Sequence, residues 1–178
     1  MDTADLEARR ARFDSLVRGL LEPLRRFLAR RTDPATADDV LGDTLLVLWR
    51  RYDELPPEPL PFAYGVARLC LANAERGARR QRRVAGRIAV LDPPREAPDV
   101  VGDDRLGDAL AALSADDAEL LRLWAWEQLT AREIATVLDV TENAVAIRLH
   151  RARARLRERL RKVEGAAGHE GADEGRGP

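Results

Sequence analysis

Residues 129–161 read LTAREIATVLDVTENAVAIRLHRARARLRERLR, and this stretch decides the fold because it parses as two helices joined by a three-residue corner. Thr130 and Glu133 stand at capping-box spacing, so a helix is predicted to begin there and to run through Ile134, Ala135 and Leu138. Asp139-Val140-Thr141 forms the corner. Aspartate is one of the few residues besides glycine that tolerates the left-handed conformation such a corner often needs, and Thr141 can cap the helix that follows.

In that second helix Val145, Leu149, Ala152, Leu156 and Leu160 recur at helical spacing and make one inward stripe. Asn143, Ile147, His150, Arg151 and Ala154 then point the other way. An apolar Ile147 at the centre of an outward face suits a helix that enters a DNA major groove, where isoleucine can meet a thymine methyl. Asn143 and Arg148 or Arg151 would reach base edges or phosphates. Packing of Ile147 against a neighbouring domain satisfies the same periodicity. Six further arginines follow Arg148, at 151, 153, 155, 157, 159 and 161, and Lys162 is the only lysine in the chain. Such a run is often just a solvated face; beside a helix-turn-helix pattern it reads as a phosphate-contacting extension.

The chain has 178 residues, room for one ordinary domain or two small ones. Only 4% of residues are aromatic while 34% are charged, and Ala, Leu and Arg dominate, which favours helices over sheets. The net charge of −1 hides a partition. Residues 61–90 hold seven Arg against Glu75 alone, residues 91–119 carry a net −7, and residues 120–162 carry a net +5. Two basic blocks flanking an acidic one suit a protein that touches an anionic polymer at two places. Cys70 is the only cysteine, and His150 and His169 lie far from it and from each other, so no disulfide framework, metal site or cofactor is expected. With no apolar run of membrane-spanning length and no signal core, the expectation is a cytoplasmic protein without membrane insertion.

Upstream, Phe13, Leu16, Val17, Leu20, Leu21, Leu24, Phe27 and Leu28 mark an amphipathic helix, which Pro23 is predicted to bend or restart near Glu22. Asp33-Pro34 signals a second helix that buries Ala37, Val40, Leu41, Thr44, Leu45 and Leu48 and leaves Asp39, Gly42, Asp43, Leu46 and Arg50 outside, with Asp38 at the border. Helix-dipole complementarity accounts for Asp38 and Asp39 but less well for Asp43. Prolines at 56, 57, 59 and 61 mark a loop from Asp53 to Pro61, after which a helix resumes at Phe62 with Val66, Leu69 and Cys70 inward. Arg68, Arg76, Arg79, Arg80 and Arg83 share one face of it. Solvated faces usually mix signs, and this one is interrupted only by Glu75, which favours a nucleic-acid surface. DPPREAPDVVGDD, residues 92–104, reads as an interdomain linker. Beyond it come a short helix with Leu106, Leu110 and Leu113, then a helix capped by Ser114 and Asp117 with Leu120, Leu121, Leu123, Trp124 and Trp126. After Glu164 the glycine-rich tail has too little apolar area to order itself.

The assembled pattern resembles the bacterial RNA polymerase sigma factors of the small, two-domain extracytoplasmic-function class, over about Phe13 to Arg161. DDVLGDTL at residues 38–45, followed by LWR at 48–50, is similar to the family helix that docks on core polymerase. The 129–160 stretch is similar to the family domain that binds the minus-35 promoter element. Residues 61–83, PFAYGVARLCLANAERGARRQRR, are similar to the helix that captures and melts the minus-10 element, with Phe62 where the family usually has Trp, Leu69 where Asn is common and Asn73 where Asp is common.

The resemblance implies polymerase binding through Asp38, Asp39, Gly42, Asp43 and Leu46. It implies minus-10 contacts from Phe62, Arg68, Asn73, Arg76, Arg79, Arg80 and Arg83. Minus-35 contacts are implied for Thr141, Glu142, Asn143, Ala144, Ile147, Arg148, Arg151 and Arg155. The expected partners are core RNA polymerase, promoter DNA and an anti-sigma factor. The expected fold is all-α: a helical domain at 1–91, a flexible acidic linker at 92–104, a helix-turn-helix domain at 105–163 and a disordered tail at 164–178. The competing expectation is a helix-turn-helix regulator that is not a polymerase subunit. Enzymatic function has no phosphate loop, metal cluster or nucleophile triad behind it.

Overall fold

A computed structural model describes residues 3–85 and 104–167, which form seven α-helices and a 3₁₀ turn, with no strand among the described residues. The chain divides into two compact units, one holding the first three helices and the other the remaining four apart from a few residues of the sixth.

In the first unit α1 spans Thr3–Ala29, α2 Pro34–Arg50 and α3 Pro59–Ala85, and every pair of the three is in contact. Leu20, Leu24, Phe27 and Leu28 of α1 meet a core supplied by Val40, Leu41 and Leu48 of α2 and by Ala63, Tyr64, Val66, Ala67 and Leu71 of α3. The Phe27 and Tyr64 rings stack with centroids 4.8 Å apart. Thr44 is buried at the same level, and its hydroxyl is satisfied by donating to the Val40 carbonyl at 2.7 Å. Asp33 caps α2 as expected, its carboxylate accepting from the Thr36 amide at 3.2 Å.

Two expectations for this unit are corrected and one is narrowed. Pro23 lies inside one continuous helix, so of the bend or restart expected there the restart does not occur. An interior proline costs about 3 kcal/mol, but each fully buried leucine or phenylalanine returns about 1.5–3 kcal/mol, and α1 buries four of them around Pro23. Helix α3 begins at Pro59, not Phe62. Both Pro59 and Pro61 fall in its first turn, where amide hydrogens have no intrahelical acceptor and proline is tolerated. Leu69, expected inward, is 57% exposed. The inward face of α3 is taken by Val66, Ala67 and Leu71, and Leu69 falls outside that arc.

The second unit comprises α4 at Asp104–Ala111, α5 at Ala115–Ala125, α6 at Ala131–Leu138 and α7 at Glu142–Ala167. Helices α4 and α5 both pack on α7. Its core includes Ala109, Leu110, Ala118, Leu120, Leu121, Leu123, Leu129, Ile134, Val145 and Ala152. Ser114 caps α5 by accepting the Asp117 amide at 3.2 Å. Between α5 and α6, Gln128 adopts a left-handed φ of 55°, and the Leu129 amide donates back to the Leu123 carbonyl at 3.1 Å.

Leu106 and Trp124 are each 38% exposed, while Ala109, Leu110, Leu120, Leu121 and Leu123 form the interior of these two helices. Trp124 is covered instead from above by the Arg153 guanidinium, 4.5 Å from the ring centroid. Asp104 opens α4, and α7 runs on to Ala167, past the expected domain end at 163, as strong helix formers such as Ala166 and Ala167 permit. The expected linker before Asp104 and the expected tail beyond Ala167 lie outside the described residues.

Candidate nucleic-acid interface

The helix-turn-helix is built by three backbone devices. Thr130 and Glu133 close a complete capping box at the start of α6, and the Thr130 hydroxyl and amide hold the Glu133 carboxyl below the ordinary carboxylate range. Asp139 ends α6 at φ 54° and ψ 51°, the left-handed corner expected of it. Thr141 then starts α7, its hydroxyl accepting the Ala144 amide at 3.3 Å.

With the corner fixed, the rotation of α7 follows from burial. Val145 and Ala152 are fully buried, and Leu149, Leu156 and Leu160 are half-buried on the same side. Thr141, Glu142, Asn143, Arg148 and Arg151 are exposed and Ala144 is half-buried. Ile147, in the middle of this outward surface, is 46% exposed. An aliphatic group ringed by amide and guanidinium donors can meet a base methyl while its neighbours reach base edges and phosphates.

Arg155 is placed differently from the other members of this set. Its guanidinium is bonded to the Asp117 carboxylate on α5, and the Asp117 side chain is only 14% exposed. With Arg153 over Trp124, this gives α5 and α7 two arginine fasteners that helical periodicity does not reveal.

On α3 the arginines do share a side. Arg76, Arg79, Arg80 and Arg83 are exposed, and Arg68 is half-buried. Arg79 pairs with Glu75 at 3.3 Å, and Arg76 donates to the Asn73 side-chain oxygen. Phe62 is half-buried beneath the Arg51 guanidinium, whose carbon lies 5.1 Å from the ring centroid. Leu69 belongs to this surface as well. It lies seven residues after Phe62, seven before Arg76 and eleven before Arg80, so all four project within about 40° of one line; that spacing was available in the sequence.

Helix α2 presents a third surface. Asp38, Asp39, Gly42 and Asp43 are exposed, and Leu46 is 46% exposed one turn beyond. A Cβ built on Gly42 would meet nothing within 4 Å, so no neighbour among the described residues requires glycine there. Beneath this surface burial pushes the Cys70 thiol up, with Thr44 opposing and the Asp43 carboxylate reinforcing the shift.

A cluster missed by the sequence reading braces the end of α2. Arg9 donates to the Trp49 carbonyl at 3.1 Å, pairs with Asp53 at 3.2 Å and lies 4.6 Å from the Trp49 ring centroid. Phe13 meets the Trp49 and Tyr52 rings edge-on at 5.1 and 5.8 Å.

Comparison with known proteins bears on the whole arrangement. The family model for Sigma-70, region 4 matches residues 103–156. The ECF RNA polymerase sigma factor SigL of Mycobacterium tuberculosis is 32% identical over 146 residues, covering 78% of this chain and 82% of SigL. The RNA polymerase sigma-E factor of Streptomyces coelicolor is 30% identical over 153 residues, covering 83% and 85%. In fold the chain is similar to the sigma factor RpoE solved with the anti-sigma factor NepR from Bartonella quintana. That match has a TM-score of 0.62 at 22% identity and covers 84% of this chain and 96% of that one. With relatives at 30% identity or more covered over more than two thirds of their length, the chain belongs to the ECF RNA polymerase sigma factors, which direct core polymerase to promoters.

Proposed function

We propose that the three exposed surfaces divide the work of this sigma factor between them. The α2 surface of Asp38, Asp39, Gly42, Asp43 and Leu46 docks on core polymerase, a carboxylate-rich patch with one aliphatic contact. The α3 surface of Phe62, Arg68, Asn73, Arg76, Arg79, Arg80 and Arg83 holds the minus-10 strand, its guanidinium groups following the phosphates while an unstacked base is received among the uncharged side chains. The α7 surface of Thr141, Glu142, Asn143, Ala144, Ile147, Arg148 and Arg151 enters the minus-35 major groove. Arg155, paired with Asp117, is assigned to holding α7 against α5.

This reading gives docking and minus-10 work to residues 1–91, minus-35 work to residues 105–163 and a tethering role to the segment between. The work is binding and not catalysis, and its place is the cytoplasm. The observation that carries it is the exposure of Ile147 at 46%, among exposed Asn143, Arg148 and Arg151, on a helix whose opposite side buries Val145 and Ala152. The regulator that suits the same surfaces is an anti-sigma factor, by analogy with RpoE bound to NepR.

The test is run-off transcription with purified core polymerase and a cognate promoter. Specific initiation on adding this chain is the expected result. Failure in an assay where a known sigma factor initiates would overturn the reading. Co-purification with core polymerase separates it from a regulator that only binds duplex DNA.

A further inference from the structure

Among the described side chains Leu69 is the most exposed large hydrophobic one on α3, at 57%, and it stands within a cationic surface. Its neighbours one turn and two turns on are Asn73 and Arg76, with Arg80 a further turn away. The Asn73 side-chain oxygen already accepts from Arg76. The same amide therefore keeps its two N–H donors for an outside acceptor. The surface thus offers an aliphatic group, a pair of amide donors and guanidinium groups along one helix line.

We propose that Leu69 and Asn73 form the seat of one unpaired thymine in the melted strand. Thymine carries both features this pair can satisfy, a 5-methyl group for the leucine and ring carbonyls for the amide donors. Adenine has no carbonyl, while cytosine and guanine have no methyl. The guanidinium groups of Arg76 and Arg80 lie where the adjoining phosphates would run. Leu69 is then a specificity-determining residue. This deepens the minus-10 role of α3 and rests on it.

The test is binding of labelled single-stranded oligo(dT) and oligo(dU) by the full chain reconstituted with core polymerase, with core alone as the blank. The two oligonucleotides differ only in the 5-methyl. A buried methyl contact predicts about fourfold tighter binding of oligo(dT). Leu69→Ala should erase that ratio while leaving oligo(dU) binding little changed, and Arg80→Ala should weaken both oligonucleotides and keep the ratio. Equal binding of the two by the unsubstituted protein overturns the thymine seat but leaves the minus-10 role standing. A ratio that survives Leu69→Ala overturns it too, and loss of core affinity in that variant makes Leu69 a polymerase contact instead. No single-strand binding above the blank would remove the α3 role itself. Leu69 is 57% exposed and lies outside the buried core; a folding defect in Leu69→Ala is checked by its melting curve, and Leu69→Met, which keeps an aliphatic contact, should retain the ratio.

Discussion

Thr130 and Glu133 satisfy one another across the first turn of α6: the Glu133 amide donates to the Thr130 hydroxyl oxygen at 3.3 Å, and the Thr130 amide donates to the Glu133 carboxylate at 2.8 Å. The Thr130 hydroxyl also donates to that carboxylate, at 2.7 Å. Replacing Thr130 with Ala should cost about 1 kcal/mol, read as faster amide exchange through α6. The folded carboxyl is held below its ordinary value by these bonds. Its stabilisation is therefore full above the unfolded pKa and is lost as pH falls through the lowered folded value. Glu133→Gln should remove that acid-side dependence and leave exchange near neutral pH slightly faster.

Asp139 holds a left-handed backbone at φ 54°, where a Cβ is strained. A β-branched residue suffers more than aspartate there, so Asp139→Val should destabilise the second unit by about 1–2 kcal/mol. Asp139→Gly removes the strain but gives the unfolded chain more freedom, so its net gain should stay under about 1 kcal/mol. Thermal melting of the full chain, followed by circular dichroism, checks both signs.

Residues 129–161 were the most legible part of the chain because cap, corner and helix signals there are local. The capping box, the Asp139 corner, the Thr141 cap and the outward turn of Ile147 all depend on neighbours within four residues. Errors arose where a distant partner or the total core volume decides. The restart allowed for at Pro23 does not occur because burial on both sides of it holds the helix together, and Leu69 is displaced outward because other side chains fill the interior. The pairing of Arg155 with Asp117 spans 38 positions, and that of Arg9 with the Trp49 carbonyl spans 40. A period of 3.6 residues carries no information about such pairs.

Arg9 makes unequal contacts, and the inequality can be measured. Its ion pair with Asp53 is nearly open to solvent, the Asp53 side chain being 77% exposed, so Asp53→Ala should cost under about 1 kcal/mol. The carbonyl bond and the Trp49 ring contact are better shielded, with the Arg9 side chain 18% exposed. Arg9→Ala should therefore cost about 1–3 kcal/mol. Arg9→Lys should recover only part of it, since a point charge cannot both cover the ring and reach the carbonyl with a planar fork. Urea unfolding monitored by Trp49 fluorescence, in a chain with Trp124 and Trp126 replaced by Phe, gives the three values.

Gly42 and Asp43 separate stability from docking on one helix. A methyl at Gly42 meets nothing within 4 Å, so Gly42→Ala should raise the stability of the first unit by up to about 1 kcal/mol. If the α2 surface lies against polymerase, the same methyl should weaken core binding, because a close partner has been given an extra atom to accommodate. Asp43→Arg should abolish core binding with the helix content unchanged. Affinity for core that is unaltered by both substitutions would remove α2 from the docking interface.

Arg151 and Arg155 lie on one helix within two turns, yet they should respond differently to salt. Each guanidinium that meets a phosphate releases counterions, so its loss lowers the salt slope of duplex binding by about one. Arg151 is exposed, so Arg151→Ala should show that decrease on any duplex, with an added 1–3 kcal/mol loss confined to a cognate site if it also reads a base. Arg155 is already joined to Asp117, which is 14% exposed and would be left uncompensated if the arginine moved to DNA. Arg155→Ala should therefore leave the slope unchanged and lower the melting temperature. Asp117→Asn releases the arginine, and the slope should then rise by about one. Anisotropy titrations of a labelled duplex at several salt concentrations measure all three. Equal slope losses for Arg151→Ala and Arg155→Ala would mean that the pair opens on DNA and that Arg155 is a phosphate contact after all.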